Sequence, residues 1–406
     1  MHAPAPARPE LGFREFVTLI AALMAMTALS IDTMLPALPA IGHSLHVAQA
    51  NDRQWVITAF MLGFGAGQIV HGPLSDRFGR RPVLLTGLIF GVICNIVAAA
   101  TTTFPLLLAA RVAAGVATAS GRVLAVSIVR DRFIGDAMAR VMSLAAIVFM
   151  VVPIAAPNLG QLILLIAPWR WIFYILAIAG LLLFGWIALR LPETLRPQHR
   201  LPLSIARLGE GFRYVLTDRL ALGYTAGSTL LQGCLFGFLL SVQQIFETEF
   251  RAPNLFAPAF SVIAGTMAVA AFANSQIVTR YGARAVSHRA VIVFTSIAAL
   301  HLAIALTGHE TIVSFVLLQA LMISCFGLAG ANFSAIAMEH MGRLAGTASS
   351  VQGFVQTVGG TLIGAAIGAA FNGTTVPLYL GFTSCGVLTF AAVAIAERGR
   401  LFGRRA

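Results

Sequence analysis

Long apolar runs follow one another along almost the whole sequence. A run of roughly 20 apolar residues has the length of a helix that crosses the hydrocarbon core of a bilayer. Twelve such runs are assigned, near residues 14–38, 54–74, 82–101, 104–129, 139–166, 170–191, 219–246, 256–278, 288–307, 310–336, 345–371 and 374–396. Because backbone polar groups must be bonded internally in lipid, the sequence predicts an all-α membrane protein with twelve transmembrane helices.

The composition of the chain favours the same class. Of its 406 residues, 58% are hydrophobic and only 10% are charged, which is too apolar for a soluble fold of this size. The cysteines all lie in apolar runs without paired spacing, so we expect no disulfide and no metal site. The sequence also lacks HExxH, GxSxG and DxxD patterns, and we expect it not to be an enzyme.

The charged residues are concentrated in the loops that follow even-numbered spans. These loops hold three groups of arginines: Arg77, Arg80 and Arg81; Arg130, Arg132 and Arg140; Arg280, Arg284 and Arg289. Positive residues favour the cytoplasmic side, so both termini are predicted to be cytoplasmic. The net charge of +12 is explained by this topology, and nucleic acid is excluded as a partner because no soluble domain presents the arginines.

The chain divides into two parts of six spans each. We assign residues 1–191 and 219–406 to two helix bundles and residues 192–218 to a cytoplasmic connection. Apolar residues recur at helical spacing within the connection, which predicts a short amphipathic helix on the membrane surface: Ile205, Leu208, Phe212 and Val215.

A repeat supports the division into two pseudo-symmetric bundles. The sequence from Arg77 to Arg81 reappears in similar form from Arg280 to Arg284, an offset of 203 residues or half the chain. The same offset relates Arg140 to Arg343. Parallel repeats of six spans are typical of transporters whose halves move around a site near the middle of the membrane.

Asp32 is the only carboxylate that we place inside a membrane-spanning run. A charged acid in the membrane costs several kcal/mol unless it is paired or faces a cavity, so its default interpretation is a functional site. Pro36 and Pro39 end the helix near it, and such irregular backbone is tolerated where it lines water. The alternative is a structural carboxylate that neutralises an arginine.

The fourth span supplies two candidate partners for this acid. Arg111 lies about seven residues from the outer end of its span, a depth similar to that of Asp32, so the two are expected to meet. Arg122 shares the face of Arg111 but lies about 16 Å deeper. It is interpreted either as a substrate or coupling residue, or as a side chain that extends to the inner headgroups.

The loop after the second span carries a compact set of glycines and charges. Two glycines permit tight turns and close helix approach, while an acid among arginines can pair across the inner mouth. Such a cluster is suited to a cytoplasmic gate that breaks when the halves rock, although an ordinary positive loop is the alternative. The gate residues are Gly72, Asp76, Arg77, Gly79, Arg80 and Arg81.

These motifs resemble the major facilitator superfamily, and within it the Bcr/CflA group of bicyclomycin and chloramphenicol resistance proteins, which are drug:proton antiporters. The resemblance rests on the 72–81 loop, on Leu191–Leu195 (LPETL), on Leu35–Pro39 after an acid, and on Gly346–Ser350. It implies a two-bundle transporter of the inner membrane that uses the proton gradient and no cofactor. It also implies that Arg111 takes part in proton exchange, as the family's helix-four arginine does.

The fifth span is similar to the antiporter motif of drug exporters in this superfamily. Prolines bend the helix and small residues admit close packing of the facing half. Two of the usual glycines are replaced here, one of them by Ala156, so the match is incomplete. The motif residues are Pro153, Ala156, Pro157 and Gly160.

Aromatic residues, methionine and amides on four spans are candidates for a substrate pocket. Such side chains suit an adaptable apolar site. The candidates are Phe60, Met61, Phe64, Gln232 and Phe236, with Phe238, Asn332 and Gln356 as further contributors. One acid beside arginines favours a small amphipathic substrate that is neutral or anionic.

The predicted function is proton-coupled efflux of drugs or antibiotics by a monomer, with Asp32 as the protonation site. The alternative on the same fold is an exporter or importer of metabolites such as sugars or amino-acid derivatives.

Overall fold

The protein is described by a computed structural model over residues 11–203, 205–340 and 345–403. These residues form helices joined by short connections, and they contain no strand. The helices are α1 (Phe13–Asp32), α2 (Leu38–Ser44), α3 (Trp55–Phe78), α4 (Arg80–Ala100), α5 (Phe104–Arg132), α6 (Asp136–Ile166), α7 (Arg170–Arg190), α8 (Ile205–Thr217), α9 (Arg219–Gln244), α10 (Phe256–Tyr281), α11 (Ala283–Thr307), α12 (Ile312–Ala337), α13 (Ala345–Ala369) and α14 (Val376–Ala396).

Helices occupy all of the twelve expected spans. Eleven of those in the described part of the chain are long and apolar enough to cross a membrane. The remaining one, α13, has 25 residues but is rich in glycine and contains glutamines. It packs against α3 and α9, and a Cβ at Gly364 would lie 2.7 Å from the Cβ of Phe236. A helix enclosed by other helices needs small residues for close approach rather than an apolar surface for lipid.

The first expected span does not continue as one helix to residue 38. Helix α1 ends at Asp32, and a 3-10 turn over Leu35–Ala37 leads into the short helix α2. Pro36 has no N–H to continue the α-helical ladder, and Pro39 occupies the first turn of α2, where a missing N–H is tolerated. The regular α-helix is therefore interrupted immediately after the acid, although Thr33, Met34 and Ala37 keep right-handed helical backbone angles and Phe13–Ser44 forms one membrane span.

The two predicted bundles share a local backbone geometry. Helix α3 ends at Gly79 with φ +103° and ψ 157°, and α10 ends at Gly282 with φ +84° and ψ 150°. Positive φ favours glycine, which explains why the repeated motif keeps this residue. Across the middle of the molecule, α3 contacts α13 and α6 contacts α10, so these two pairs join the halves.

The connection between the halves contains helix α8. Its apolar side packs against α13, where Val215 shares a buried cluster with Ala348 and Val351. A Cβ at Gly211 would lie 2.8 Å from the Thr347 methyl group, which shows how close the two helices are. Helix α8 therefore shields the start of α13 in addition to linking the bundles. Residues 1–10, Arg343 and residues 404–406, which the sequence predictions include, lie outside the described ranges.

Candidate functional site

A cavity of about 420 Å³ lies between the two halves. Its walls come from α1, α3, α5 and α6 on one side and from α9, α10, α12 and α13 on the other. This volume falls in the range of about 300–1,000 Å³ that is usual for sites that bind drug-sized molecules. The position between two bundles is also where a transporter with repeated halves holds its substrate.

The two walls of the cavity differ in chemistry. The wall from the N-terminal half carries both formal charges of the described lining, Asp32 and Arg122. The wall from the C-terminal half is uncharged and is dominated by aromatic and aliphatic side chains, with two amides among them: Phe236, Phe238, Phe260, Phe326, Gln232 and Gln356. A molecule with a polar end and an apolar body fits this arrangement.

The cavity brings together most of the substrate candidates from the sequence. Met61, Phe64 and Phe236 line it, together with Gln232 and Arg122. Phe60 does not reach the cavity. Its ring is fully buried beneath a guanidinium group, with the Arg111 Cζ 4.4 Å from the ring centroid. Because α3 turns about 100° per residue, Phe60 and Met61 face different neighbours, and Phe60 is a packing partner of Arg111.

Asp32 is the last residue of α1, and its side chain lines the cavity. The residue is only 5% exposed. Among the described residues, its carboxylate has no hydrogen-bond or ion-pair partner. A buried carboxylate without a partner is costly when charged.

Arg111 lies on α5 and is completely buried. Its Nε donates to the Val56 carbonyl at 3.0 Å, and its Nη2 donates to the Ser30 carbonyl at 2.9 Å. Carbonyls in the last turn of a helix lack hydrogen-bond donors inside the helix. Arg111 supplies a donor to the Ser30 carbonyl in the last turn of α1. The expected ion pair with Asp32 is absent from this arrangement, and Nη1 of Arg111 has no acceptor among the described residues.

Arg122 lies on the cavity wall, about three turns along α5 from Arg111. Its side chain is exposed there. The residue lines the same cavity as Asp32 and Gln68, and its role as a substrate or coupling residue stays a prediction.

The 72–81 loop forms an ion network inside the N-terminal half. Arg80 is 4% exposed, and it bonds Asp76 through Nη1 at 2.5 Å and Asp131 through Nε at 3.1 Å. The backbone N–H groups of Arg80 and Arg81 donate to the Glu193 carboxylate at 2.9 and 3.2 Å. The loop therefore clamps α3, α4, α5 and the end of α7 together.

Other members of the predicted gate have different surroundings. Arg77 is exposed and forms no ion pair with a described residue. A Cβ at Gly72 would lie 3.6 Å from the Ser350 hydroxyl of α13, so Gly72 marks a close approach to the other half. Gly79 leaves room for Glu193, because a Cβ there would lie 2.5 Å from its carboxylate. Glu193 lies in the LPETL motif, whereas Asp131 lies in none of the sequence motifs described above.

The opposite end of the bundle, at residues 50–54, is held together by hydrogen bonds between the halves. Gln54 Nε2 donates to Gln244 Oε1 at 2.9 Å and to the Gly368 carbonyl at 3.2 Å. Gln244 Nε2 donates to the Ala50 carbonyl at 2.7 Å. Asn51 Nδ2 donates to the Phe371 carbonyl at 2.9 Å and to the Ala369 carbonyl at 3.1 Å. This end of the cavity is closed by amides that the sequence analysis did not identify.

The helix-five motif lies where α6 meets both α1 and α10. Pro153 lines the cavity, and a Cβ at Gly160 would overlap the Thr33 carbonyl just after Asp32. Ser261 of α10 donates to the Ile154 carbonyl at 2.7 Å. Ala156 is fully buried. The small residues of the motif therefore permit the close approach of α6 to the end of α1.

A second buried polar cluster lies in the C-terminal half and was missed from the sequence. His301 bonds Glu310, which in turn accepts from the Thr375 hydroxyl, and these contacts join α11, the 308–311 connection and the start of α14. The ring of His301 also stacks on Tyr379. No sequence motif indicates this contact, because the two residues are nine positions apart in different elements.

Comparisons with known proteins agree with this architecture. Residues 18–365 match the model of the Major Facilitator Superfamily. The bicyclomycin resistance protein homolog of Haemophilus influenzae is 27% identical over 93% of this chain and 94% of its own. The multidrug resistance protein MdtL of Salmonella heidelberg is 24% identical over 94% of this chain and 95% of its own.

A solved structure shows the same fold. The partially occluded inward open conformation of the xylose transporter XylE from E. coli superposes with a TM-score of 0.74 at 13% identity, covering 96% of this chain and 99% of that one. The two bundles, the cavity between them and the family match lead to one assignment. The chain is a multi-pass membrane transporter, not an enzyme, and it belongs to the Major Facilitator Superfamily, with relatives of the bicyclomycin and multidrug resistance type.

Proposed function

We propose that this chain exports small amphipathic compounds from the cell in exchange for protons, with Asp32 as the protonation site. The observation that carries the proposal is a buried carboxylate without a partner on the wall of a drug-sized cavity. The names of the resistance relatives point to the same substrate class. Protonated Asp32 is neutral and stable in this setting, and charged Asp32 needs water or a cation.

Arg111 is the cation in this proposal. It is fully buried, its Nη1 lacks an acceptor, and it is already bonded to the Ser30 carbonyl two residues before the acid. In the described arrangement the acid and the arginine are apart, which favours a bound proton on Asp32. When substrate enters the cavity from the cytoplasmic side and the end of α1 shifts, an Asp32–Arg111 pair forms and the proton is released to the cytoplasm before the halves rock. A pair that exists in only one state couples proton binding to the transport cycle.

The setting of the cycle completes the proposal. The transporter lies in the inner membrane with both termini in the cytoplasm, following the arginine-rich loops. It acts as a monomer, since the cavity is built from the two halves of one chain. The substrate is neutral or anionic, because the described lining carries one acid and one arginine, both on the N-terminal wall, and is otherwise uncharged.

The test is transport by inside-out vesicles from a host that lacks its own pumps. Chloramphenicol uptake into the vesicles is measured under an imposed pH gradient for the wild type, Asp32→Asn and Asp52→Asn. Asp52 lies near the same end of the bundle but outside the cavity lining, so its replacement is the matched control. We expect gradient-driven uptake by the wild type and the control and none by Asp32→Asn. Uptake that continues at the wild-type rate in Asp32→Asn rules out this acid as the coupling site.

A further inference from the structure

Three glutamines line the cavity, and they have different hydrogen-bonding environments. Gln68 of α3 donates through Nε2 to the Thr357 hydroxyl of α13 at 2.8 Å, which joins the two halves. Gln232 of α9 and Gln356 of α13 form no side-chain hydrogen bond with a described residue. The Gln356 Nε2 atom is buried and has no acceptor. Two of the three cavity amides therefore have no side-chain partner in the described part of the chain.

These two amides are neighbours on one wall. A Cβ at Gly360 would lie 2.9 Å from the Gln232 Cγ, so the Gln232 side chain packs on α13 at Gly360. Gln356 precedes Gly360 by four residues, which is one helical turn and about 6 Å, on the same face of α13. The glycine makes this arrangement possible, since any larger side chain at position 360 would displace Gln232.

The buried Gln356 Nε2 atom costs free energy without an acceptor, because it loses the hydrogen bond that it makes with water in the unfolded chain, and the Gln232 amide next to it is partly buried. The surroundings increase this cost, since Phe236, Phe238 and other apolar side chains make up most of the same wall. Helix packing alone would be served better by leucine at these positions. A pair of adjacent amides on an apolar wall is instead explained by a ligand that bonds to them.

We infer that Gln232 and Gln356 select the substrate by hydrogen bonding to an uncharged polar group, such as an amide, a ketone or a hydroxyl. This inference rests on the proposed export function and assigns the group that the C-terminal half recognises. An amide side chain offers both a donor and an acceptor, which matches such groups. The phenylalanines around the pair hold the apolar body of the same molecule.

The division of the cavity explains why the pair selects for polarity rather than charge. The described lining of the C-terminal half carries no formal charge, while Asp32 and Arg122 lie on the other wall. A site built around buried hydrogen-bonding groups discriminates strongly against a molecule that lacks the matching group, since its own amides then remain unpaired. Proton coupling and substrate selection are therefore carried by opposite walls.

The experiment compares two probes of different chemistry on purified protein. Chloramphenicol is uncharged and carries an amide and hydroxyl groups, whereas tetraphenylphosphonium is a cation without any hydrogen-bonding group. In the double variant Gln232→Leu with Gln356→Leu, we expect the chloramphenicol affinity to fall about tenfold or more, since two hydrogen bonds are lost. The affinity for tetraphenylphosphonium should stay within about twofold, because its binding uses only the apolar surface.

A matched control lies one turn earlier on α13. Gln352 donates to the Thr225 hydroxyl at 3.3 Å and is not part of the cavity wall, so Gln352→Leu should leave the affinities for both probes unchanged. Thermal stability of each variant in detergent shows that the protein is folded. The variant Gln232→Leu with Gln356→Asn keeps an amide at position 356, so its chloramphenicol affinity should lie between those of the double leucine variant and the wild type.

Each outcome bears on the inference. An unchanged chloramphenicol affinity in the folded double variant overturns it, and so does a wild-type protein that binds only tetraphenylphosphonium or neither probe. A glutamine-dependent affinity for chloramphenicol supports it. If that affinity is found but the vesicles do not accumulate chloramphenicol under a pH gradient, the amide pair stands and the proposed export function fails.

Discussion

The two ends of the helix bundle are built from different interactions. At residues 50–54, neutral amides bond directly between the halves, from Gln54 to Gln244 and from Asn51 to the end of α13. At residues 72–81, charged groups bond within the N-terminal half, from Arg80 to Asp76 and Asp131. The contacts at residues 50–54 join the two halves, whereas the contacts at residues 72–81 stabilise the N-terminal half alone.

This difference is consistent with a transporter in which the 50–54 end is closed in one conformation and opens in another. Each neutral hydrogen bond contributes about 0.5–1.5 kcal/mol, so a few amides close one end without making it permanent. A buried ion network costs more to break, about 3–5 kcal/mol when one partner is removed, and is suited to contacts that persist through the cycle. We therefore expect the amides to separate when the halves rock and the Arg80 network to stay intact.

The largest effect is expected from locking the amide end. In the double variant Asn51→Cys with Phe371→Cys, a short bifunctional thiol reagent should join the halves and abolish transport, and cleavage of the linker should restore it. The four native cysteines are all buried, which limits background reaction. Each single variant treated with the reagent is the control. Full cross-linking with transport at the wild-type rate would show that this end does not open.

The next effect concerns the ion network and compares two arginines of one loop. Arg80→Ala leaves Asp76 and the mostly buried Asp131 without their cation, so we expect a loss of about 3 kcal/mol in stability and severe loss of transport. Arg77→Ala removes the same charge from an exposed position without an ion pair and should cost less than about 0.5 kcal/mol. Thermal unfolding in detergent measures both. If both substitutions changed the stability by less than about 0.5 kcal/mol, the arginines of this loop would serve only to set the membrane topology.

A smaller effect is expected when one amide of the closed end is removed. Gln54→Leu deletes the bonds to Gln244 and to the Gly368 carbonyl, which should favour opening of this end by about 1–2 kcal/mol. The labelling rate of Asn51→Cys by a membrane-impermeant thiol reagent should rise by at least about fivefold. Arg53→Ala, which removes the partly exposed pair with Glu247 at 3.7 Å, should change that rate by less than about twofold. A larger increase in the labelling rate for Arg53→Ala than for Gln54→Leu would show that the Arg53–Glu247 ion pair, and not the amides, keeps this end closed.

The sequence predicted those features that the membrane or a single residue imposes. The membrane spans could be predicted from the lengths of the apolar runs, because a helix needs about 20 apolar residues to cross the hydrocarbon core of a bilayer. Asp32 stands out because an isolated acid in such a span has a high cost, and the cavity position agrees with that argument. The turn at Gly79 was readable as well, since only glycine adopts its positive φ without strain.

Other features depend on tertiary contacts that no local pattern encodes. Arg111 bonds two backbone carbonyls, and carbonyls are present at every position of the chain. Gln54 and Gln244 are 190 residues apart in the sequence, so the residues around either one do not predict the contact. Phe60 was assigned to the pocket with Met61 because composition cannot resolve which of two adjacent residues faces inward. Its place under Arg111 follows from the rotation of α3.

The most direct test of the central claim is proton release on substrate binding. Purified wild type, Asp32→Asn and Asp52→Asn are placed in weakly buffered detergent solution, and chloramphenicol is added while the pH is recorded. The account predicts that the wild type and Asp52→Asn release protons, because substrate favours the state in which Asp32 pairs with Arg111 and loses its proton. Asp32→Asn should bind chloramphenicol and release none. Equal release from Asp32→Asn and the wild type would contradict the account.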